Sequence, residues 1–202
     1  MQIRPDGARY YPELIKKRQQ AELVRLITEH IRDTTMFTPV MPRTGKPFSV
    51  RMTNFGSLGW VSDRQGYRYQ PHHPDTGKPW AEIPAPVLDI WRSVTPEGTP
   101  TPDACLVNYY KDSARMGLHR DEDEADLSHP VVSVSLGDDA LFRLGGLIRK
   151  GKTDSLRLRS GDVLVLCGQD RLAYHGITRI YPGTSSLLKS GGRINLTLRV
   201  AG

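Results

Sequence analysis

A series of short runs in the second half of the chain most restricts its fold. They lie at residues 104–110, 131–136, 140–144, 155–159, 161–167, 172–180 and 193–200, are rich in aliphatic and β-branched residues, and are punctuated by Gly or Asp clusters. Strands at such close spacing leave no room for the helices of β-α units. The pattern therefore selects an antiparallel sandwich or barrel over a parallel sheet. In the last run, period two places Arg193, Asn195, Thr197 and Arg199 on one face and Ile194, Leu196, Leu198 and Val200 on the other. On an arbitrary strand such a polar face belongs to a solvated edge. Two permanent cations beside two neutral hydrogen-bonding groups also suit a pocket floor for a small dianion, one Arg per carboxylate.

The first 102 residues read differently. Leu23, Val24, Ile27 and Ile31 form an apolar stripe, and Arg18 and Glu22 an i,i+4 pair, on a helix over residues 13–33. Residues 38–47 form a Pro/Gly-rich loop, residues 48–70 mix short strands and turns with many aromatics, and residues 71–84 hold four prolines in a loop. Pro86 opens a second helix to about Ser93, burying Val87, Ile90 and Trp91. Residues 183–192 read as a flexible connection, and no internal repeat is present. The expected fold is α+β, mainly β, in one structural domain. Residues 1–102 supply helices and a covering extension packed on a jelly-roll core formed by residues 103–202.

Charge and composition narrow the setting. No apolar run approaches the roughly 20 residues of a membrane helix, and the N-terminus lacks an apolar signal core. Cys105 and Cys167 each lie in an apolar run and read as buried free thiols, so a cytoplasmic protein is expected. Residues 1–71 carry 12 Lys and Arg against 6 Asp and Glu, whereas the remainder carries 16 against 16. A basic segment beside a neutral body points to a polyanionic partner. No membrane association and no obligate protein partner are legible.

His119 and Asp121 stand at i and i+2, so extended chain projects both to one side. His175 lies in another strand-like run. Two imidazoles and one carboxylate on one face match the facial triad of non-haem Fe(II) oxygenases. The same ligands plus water also suit zinc. In a chain with 6 histidines and 22 acids the pattern alone is weak. The Arg/Asn/Thr/Arg strand favours iron. Activation of O2 at Fe(II) needs a reductant, and 2-oxoglutarate is a dicarboxylate that can chelate iron at one end. A zinc hydrolase has no need of a two-Arg pocket.

The chain also resembles the AlkB dealkylases. The carrying residues are Asn108-x-Tyr110, Leu-His119-x-Asp121-x-Asp123-Glu124, Pro130-Val-Val-Ser-Val-Ser-Leu-Gly137, Tyr-His175-Gly and Arg193-x-Asn195-x-Thr197-x-Arg199. Upstream, Met52-Thr-Asn-Phe-Gly-Ser-Leu-Gly-Trp60 and Arg64-Gln-Gly-Tyr67-x-Tyr69 extend it, so that it covers roughly residues 48–200. The resemblance implies a double-stranded β-helix core with a β-hairpin nucleotide-recognition lid. It implies Fe(II) on His119, Asp121 and His175, with 2-oxoglutarate and O2 as cosubstrates. Arg199 and Asn108 should lie by the metal-proximal carboxylate, Arg193 and Tyr110 by the distal one, with Asn195 and Thr197 in support.

The implied reaction removes alkyl groups from bases of the 1-methyladenine and 3-methylcytosine type, releasing formaldehyde, succinate and CO2. The implied partner is alkylated single-stranded DNA, since the lid offers few obvious wedge residues; duplex DNA and RNA stay open. Trp60 would stack on the flipped base opposite His119, though it also fits a core position of the extension. Tyr67, Tyr69 and Arg64 belong to the lid, and Asp123 would meet an exocyclic nitrogen. Arg115 and Arg120 would reach phosphates or carry ordinary solvated charge. Two features fit less well. Residues 121–126 place five acids beside a proposed nucleic-acid cleft, and Leu166, Cys167 and Ala173 stand where the prototype has aromatics near the metal. The competing readings are the same chemistry on a protein or small molecule, and a non-catalytic nucleic-acid-binding β-barrel.

Overall fold

The structure, a computed structural model, describes residues 3–202. Its elements run β1 (Arg9–Tyr11), α1 (Lys17–Asp33), β2 (Val50–Gly56), β3 (Gly59–Asp63), β4 (Gly66–Gln70), α2 (Ala85–Val94), β5 (Ala104–Tyr110) and β6 (Met116–His119). They continue as β7 (Val131–Gly137), β8 (Asp139–Leu144), β9 (Asp154–Leu158), β10 (Val163–Leu166), β11 (His175–Tyr181) and β12 (Arg193–Arg199). Six strands form a major sheet in the order β1-β10-β7-β12-β5-β2, four form a minor sheet in the order β6-β11-β8-β9, and β3 and β4 make a separate ribbon. Every pairing within these sheets is antiparallel. This is the expected jelly roll.

The two faces of the major sheet explain its sequence. Outward, Cys105, Val107, Val132, Leu196 and Leu198 pack beneath Leu23 and Ile27 of α1 and Val87 and Trp91 of α2. Burying each of these large side chains contributes about 1.5–3 kcal/mol. Inward, Leu106, Tyr110, Leu164 and Leu166 meet Phe142, Leu144, Leu158 and Ile177 across the gap between the sheets. All seven residues of β12 are buried. The strand runs between β7 and β5, so it is not a solvated edge: helices cover its apolar face, and its polar face looks into the space between the sheets.

The N-terminal segment is woven into the core. β1 pairs with β10, and β2 pairs with β5 along its whole length. β1 is three residues long, too short to show a period. Helix α1 begins at Lys17, four residues later than the expected start at residue 13, because Glu13 takes a positive φ of 50° and gives its amide to Asp162. The 183–192 connection is tied at both ends: Asp138 accepts from the amides of Ser185 and Gly192. Gly176 lets the sheets' working edge close up, since a Cβ there would lie 2.5 Å from the Met116 carbonyl of β6. No helix among the described residues is long and apolar enough to cross a membrane.

Candidate active site

β6 ends on His119, which pairs in register with His175, the first residue of β11. Asp121 follows two residues beyond β6. The ligand atoms of the three side chains lie within 4.8 Å of one another. His119 Nε2 is 3.8 Å from Asp121 Oδ1, and His175 Nε2 is 3.7 Å from Asp121 Oδ2. Each imidazole is anchored from behind: Nδ1 of His119 meets the Gly117 carbonyl at 2.9 Å, and Nδ1 of His175 meets that of Ala173 at 3.0 Å. A carbonyl only accepts, so the proton sits on Nδ1 and the Nε2 lone pair faces the shared point. Burial, with His119 nearby, pushes His175 down to about 4, which keeps it neutral as a metal ligand must be. Burial opposes ionisation of Asp121, but Arg199 and the two imidazoles outweigh it and hold the carboxyl well below the usual range. Two neutral nitrogens and one carboxylate on one face suit Fe(II) with open positions.

The polar face of β12 borders this site. Arg193 is 1% exposed. Its Nη2 donates to Ser135 Oγ at 3.0 Å, its guanidinium lies 5.3 Å from the Tyr110 ring centre, and its Nε and Nη1 have no hydrogen-bond partner among the described residues. A buried cation with two idle donors fits one carboxylate of a dianion. Arg199 is ion-paired instead: Nη2 lies 2.9 Å from Asp121 Oδ2 and Nε 3.0 Å from Glu124 Oε1, although its Nε and Nη1 too make no aligned hydrogen bond among the described residues. Asn195 is scaffold. Its amide donates to Ser133 Oγ and the Val134 carbonyl, while its oxygen accepts from Thr197 and, at 3.4 Å, from Asn108. Asn108 Oδ1 has no partner among the described residues and lines the same cavity.

That cavity, of about 390 Å³, is lined by the three metal-type ligands, the polar face of β12, Trp60, Tyr67, Tyr69, Arg120 and Asp123. Trp60 sits on β3, where the Asn54 side chain clamps its backbone from both sides. Its Nε1 donates to Asp123 Oδ2 at 2.8 Å, and Tyr67 stacks on it at 5.6 Å between ring centres. Burial raises the Asp123 carboxyl, partly offset by the indole. Tyr69 turns inward and donates to Glu124 Oε1 at 3.0 Å. Arg120 lines the cavity, pairs with Glu122 at 2.5 Å and lies over the Tyr174 ring. Arg64 and Arg115 are not brought to the cavity wall. The first sits in the β3–β4 turn against Gly45, and the second is held in the loop before β6, its backbone bonded to Ser49.

Two residues without an assigned role prove central. Glu124 and Arg171 have side chains only 1% and 6% exposed, and Arg171 Nη2 lies 3.3 Å from Glu124 Oε2. Arg171 also donates to the carbonyls of Asp121 at 2.7 Å and His129 at 2.5 Å. The acidic run is therefore no bare negative wall. Asp121 and Glu124 are buried against Arg199 and Arg171, Glu122 is paired with Arg120, and Asp123 with the Trp60 indole. The expectation of Cys167 near the metal is also corrected. Along β10, Leu164 and Leu166 face the cavity while alternation turns Cys167 away, where its thiol donates to the Gly7 carbonyl at 3.2 Å and stays half-buried. Ala173 acts through its carbonyl, which orients His175.

A jelly roll holding two His and one Asp beside a buried, partly unpaired Arg pair defines an Fe(II)- and 2-oxoglutarate-dependent dioxygenase. Residues 7–199 match the 2OG-Fe(II) oxygenase superfamily. The chain is 53% identical over 195 residues to the alpha-ketoglutarate-dependent dioxygenase AlkB homolog of Caulobacter vibrioides, covering 96% of this chain and 88% of that one. It is 44% identical over 184 residues to the alpha-ketoglutarate-dependent dioxygenase AlkB of Escherichia coli, covering 90% and 84%. It is 32% identical over 154 residues to the tRNA demethylase abh1 of Schizosaccharomyces pombe, covering 73% and 51%. The solved structure of OsALKBH1 superposes with a TM-score of 0.81 over 98% of each chain, at 32% identity. The chain belongs to the AlkB family, and Fe(II), 2-oxoglutarate and O2 are its cofactor and cosubstrates.

Proposed function

We propose that the protein dealkylates N-alkylated bases of the 1-methyladenine and 3-methylcytosine type in nucleic acid, with single-stranded DNA the readiest substrate and RNA a second one. The observation that carries this reading is one cavity joining the His119–Asp121–His175 donors, the idle nitrogens of Arg193 and the Trp60 indole. The basic first 71 residues supply charge for a polyanion.

In this reading His119, Asp121 and His175 hold the iron. Bound iron with 2-oxoglutarate and O2 supplies oxidation of the N-alkyl carbon, leaving succinate, CO2 and, as the hydroxylated group departs, formaldehyde. Arg193 and Tyr110 take the distal carboxylate, Arg199 and Asn108 border the proximal one, and Asn195 with Thr197 keeps Asn108 and the strand in place. Trp60 carries the flipped base by stacking, which tolerates either ring system. Asp123, which fixes the indole through Oδ2, has a second oxygen to accept from an exocyclic amino group. Tyr69 braces Glu124 behind the site. Tyr67 and Arg120 guide the strand at the mouth, and Arg64 and Arg115 meet phosphates farther out. Two free thiols suit the reducing cytoplasm.

The test is incubation with Fe(II), ascorbate, 2-oxoglutarate and oligonucleotides bearing each lesion. The expected result is loss of the methyl mass, with formaldehyde and succinate in equal amounts. Unchanged oligonucleotide mass while succinate still forms would sink the nucleic-acid reading in favour of a protein or small-molecule substrate.

A further inference from the structure

The exposed large apolar side chains among the described residues are Met41, Tyr67, Leu147 and Ile148, at 47%, 52%, 60% and 76%. Met41 and Tyr67 line the active cavity, and so does Arg149, the next residue after Ile148. The β8–β9 loop that bears Leu147 and Ile148 is rooted at the metal site. The Gly145 amide donates to the Tyr174 carbonyl at 2.7 Å, the Tyr174 amide donates to Gly146 at 3.0 Å, and Tyr174 directly precedes His175. Arg149, Lys150 and Lys152 follow the apolar pair within four residues. Single exposed aliphatics are ordinary, but two adjacent ones at a loop tip, beside three cations and a catalytic cavity, mark a contact surface.

We propose that Leu147 and Ile148 form a wedge that fills the gap left in a base stack when a damaged nucleotide of a duplex turns out into the cavity. Apolar wedges entering base steps beside cations that neutralise the flanking phosphates are a general way of holding nucleic acid open. The cations match the phosphates, the aliphatic tip matches the faces of the unstacked neighbours, and Arg149 ties both to the cavity wall. The proposal rests on the dealkylase reading and goes beyond its single-strand preference, because a wedge acts only where a stack must be kept apart. It also locates the wedge in the core, outside the β3–β4 lid.

The test compares wild type with the double variant Leu147→Ser, Ile148→Ser in single-turnover dealkylation of one lesion, placed in a single strand and in the matching duplex. Anionic phosphatidylserine vesicles are assayed for binding in parallel. The duplex rate should fall about tenfold, the scale of losing the burial of one aliphatic side chain against the flanking bases, while the single-strand rate and the melting temperature hold. Ile148→Phe, a larger wedge, should keep the duplex rate. Equal loss on both substrates, or no loss on either, overturns the wedge. So does vesicle binding that disappears in the double variant while the duplex rate stays. Wild type that acts on single strands alone overturns the wedge and leaves the dealkylase reading standing, whereas wild type that acts on neither removes that reading itself.

Discussion

Replacing Arg193 by Met should give opposite signs in two measurements on one protein. Arg193 is 1% exposed, makes one neutral hydrogen bond to Ser135 and leaves Nε and Nη1 unpaired. Burial lowers its pKa, the mark of a cation that its surroundings do not repay. If those nitrogens take the distal carboxylate, Met removes a charge-assisted contact of about 1.5–3 kcal/mol. At about 1.4 kcal/mol per tenfold, 2-oxoglutarate binding weakens roughly 10- to 150-fold. Without ligand the sign reverses. Met fills much of the same space with no charge to desolvate, so the ligand-free variant should melt no lower than wild type, and higher if the desolvation term dominates the lost Ser135 bond.

The assay is anaerobic titration with Fe(II) and then 2-oxoglutarate, followed by calorimetric melting with and without each. Wild type at about 100 times its dissociation constant gains about 2.7 kcal/mol from the cosubstrate. At the same concentration the variant should lose roughly half to nine tenths of that gain and keep its iron, since the three metal-type ligands lie on β6, its following loop and β11, and Arg193 lies on β12. Loss of iron from the variant, or unchanged 2-oxoglutarate affinity, would refute the pocket assignment.

Trp60→Ala should lower kcat/KM on a lesion oligonucleotide by about 5- to 150-fold through the lost stacking, leaving 2-oxoglutarate turnover without nucleic acid unchanged; equal losses in both would mean that the indole is only a structural brace. Acid should destabilise the iron-free protein in two stages. With His175 at about 4 in the folded chain and near 6.5 unfolded, the unfolded state holds the extra proton between those values, so about 3 kcal/mol is lost as pH falls through that window. Below it the depressed Asp121 carboxyl extends the loss as its unfolded counterpart protonates. Urea midpoints at pH 7, 5.5 and 4.5 measure this, and His175→Gln should flatten the upper stage. Arg171→Met should cost about 3–5 kcal/mol, because it strips Glu124 of a buried partner and frees the Asp121 carbonyl; a melting temperature equal to wild type would refute that.

Legibility in the sequence followed the range of each interaction. The run at 104–110 is nearly continuously apolar and the one at 193–199 alternates strictly, and both are bounded by turns, so their ends are found within a residue or two. His119 and Asp121 are separated by one residue, and the extended backbone alone aligns them. β6 was not legible: four residues of Met-Gly-Leu-His carry no alternation, and only pairing with β11 makes them a strand. Arg171 was not legible either, because nothing in Asp-Arg-Leu-Ala says that this Arg turns back through 50 residues of chain to the Asp121 carbonyl. Cys167 lies off the metal site because a resemblance to a prototype's aromatic gives a position along a strand, whereas the face is set by register.

The same long-range contacts change what the Arg/Asn/Thr/Arg strand means. Its two arginines are not equivalent cations. Arg199 is bound to Asp121 and Glu124, and Glu124 in turn to Arg171, so these four side chains form a neutral buried group. Arg193 stands outside that group with its charge uncompensated. In the proposed pocket the attraction for a dianion therefore concentrates at Arg193. Arg199 spends its charge on keeping a metal-type ligand ionised and correctly turned. Opposite charges entering together, a dication at the His119–Asp121–His175 face and a dianion against Arg193, leave the buried charge as it was, whereas either alone shifts it by two units in a medium that screens poorly. Each should bind more tightly in the presence of the other, and by linkage to the same degree. Part of that coupling is written into β12, where a single strand carries the idle cation at one end and the occupied one at the other.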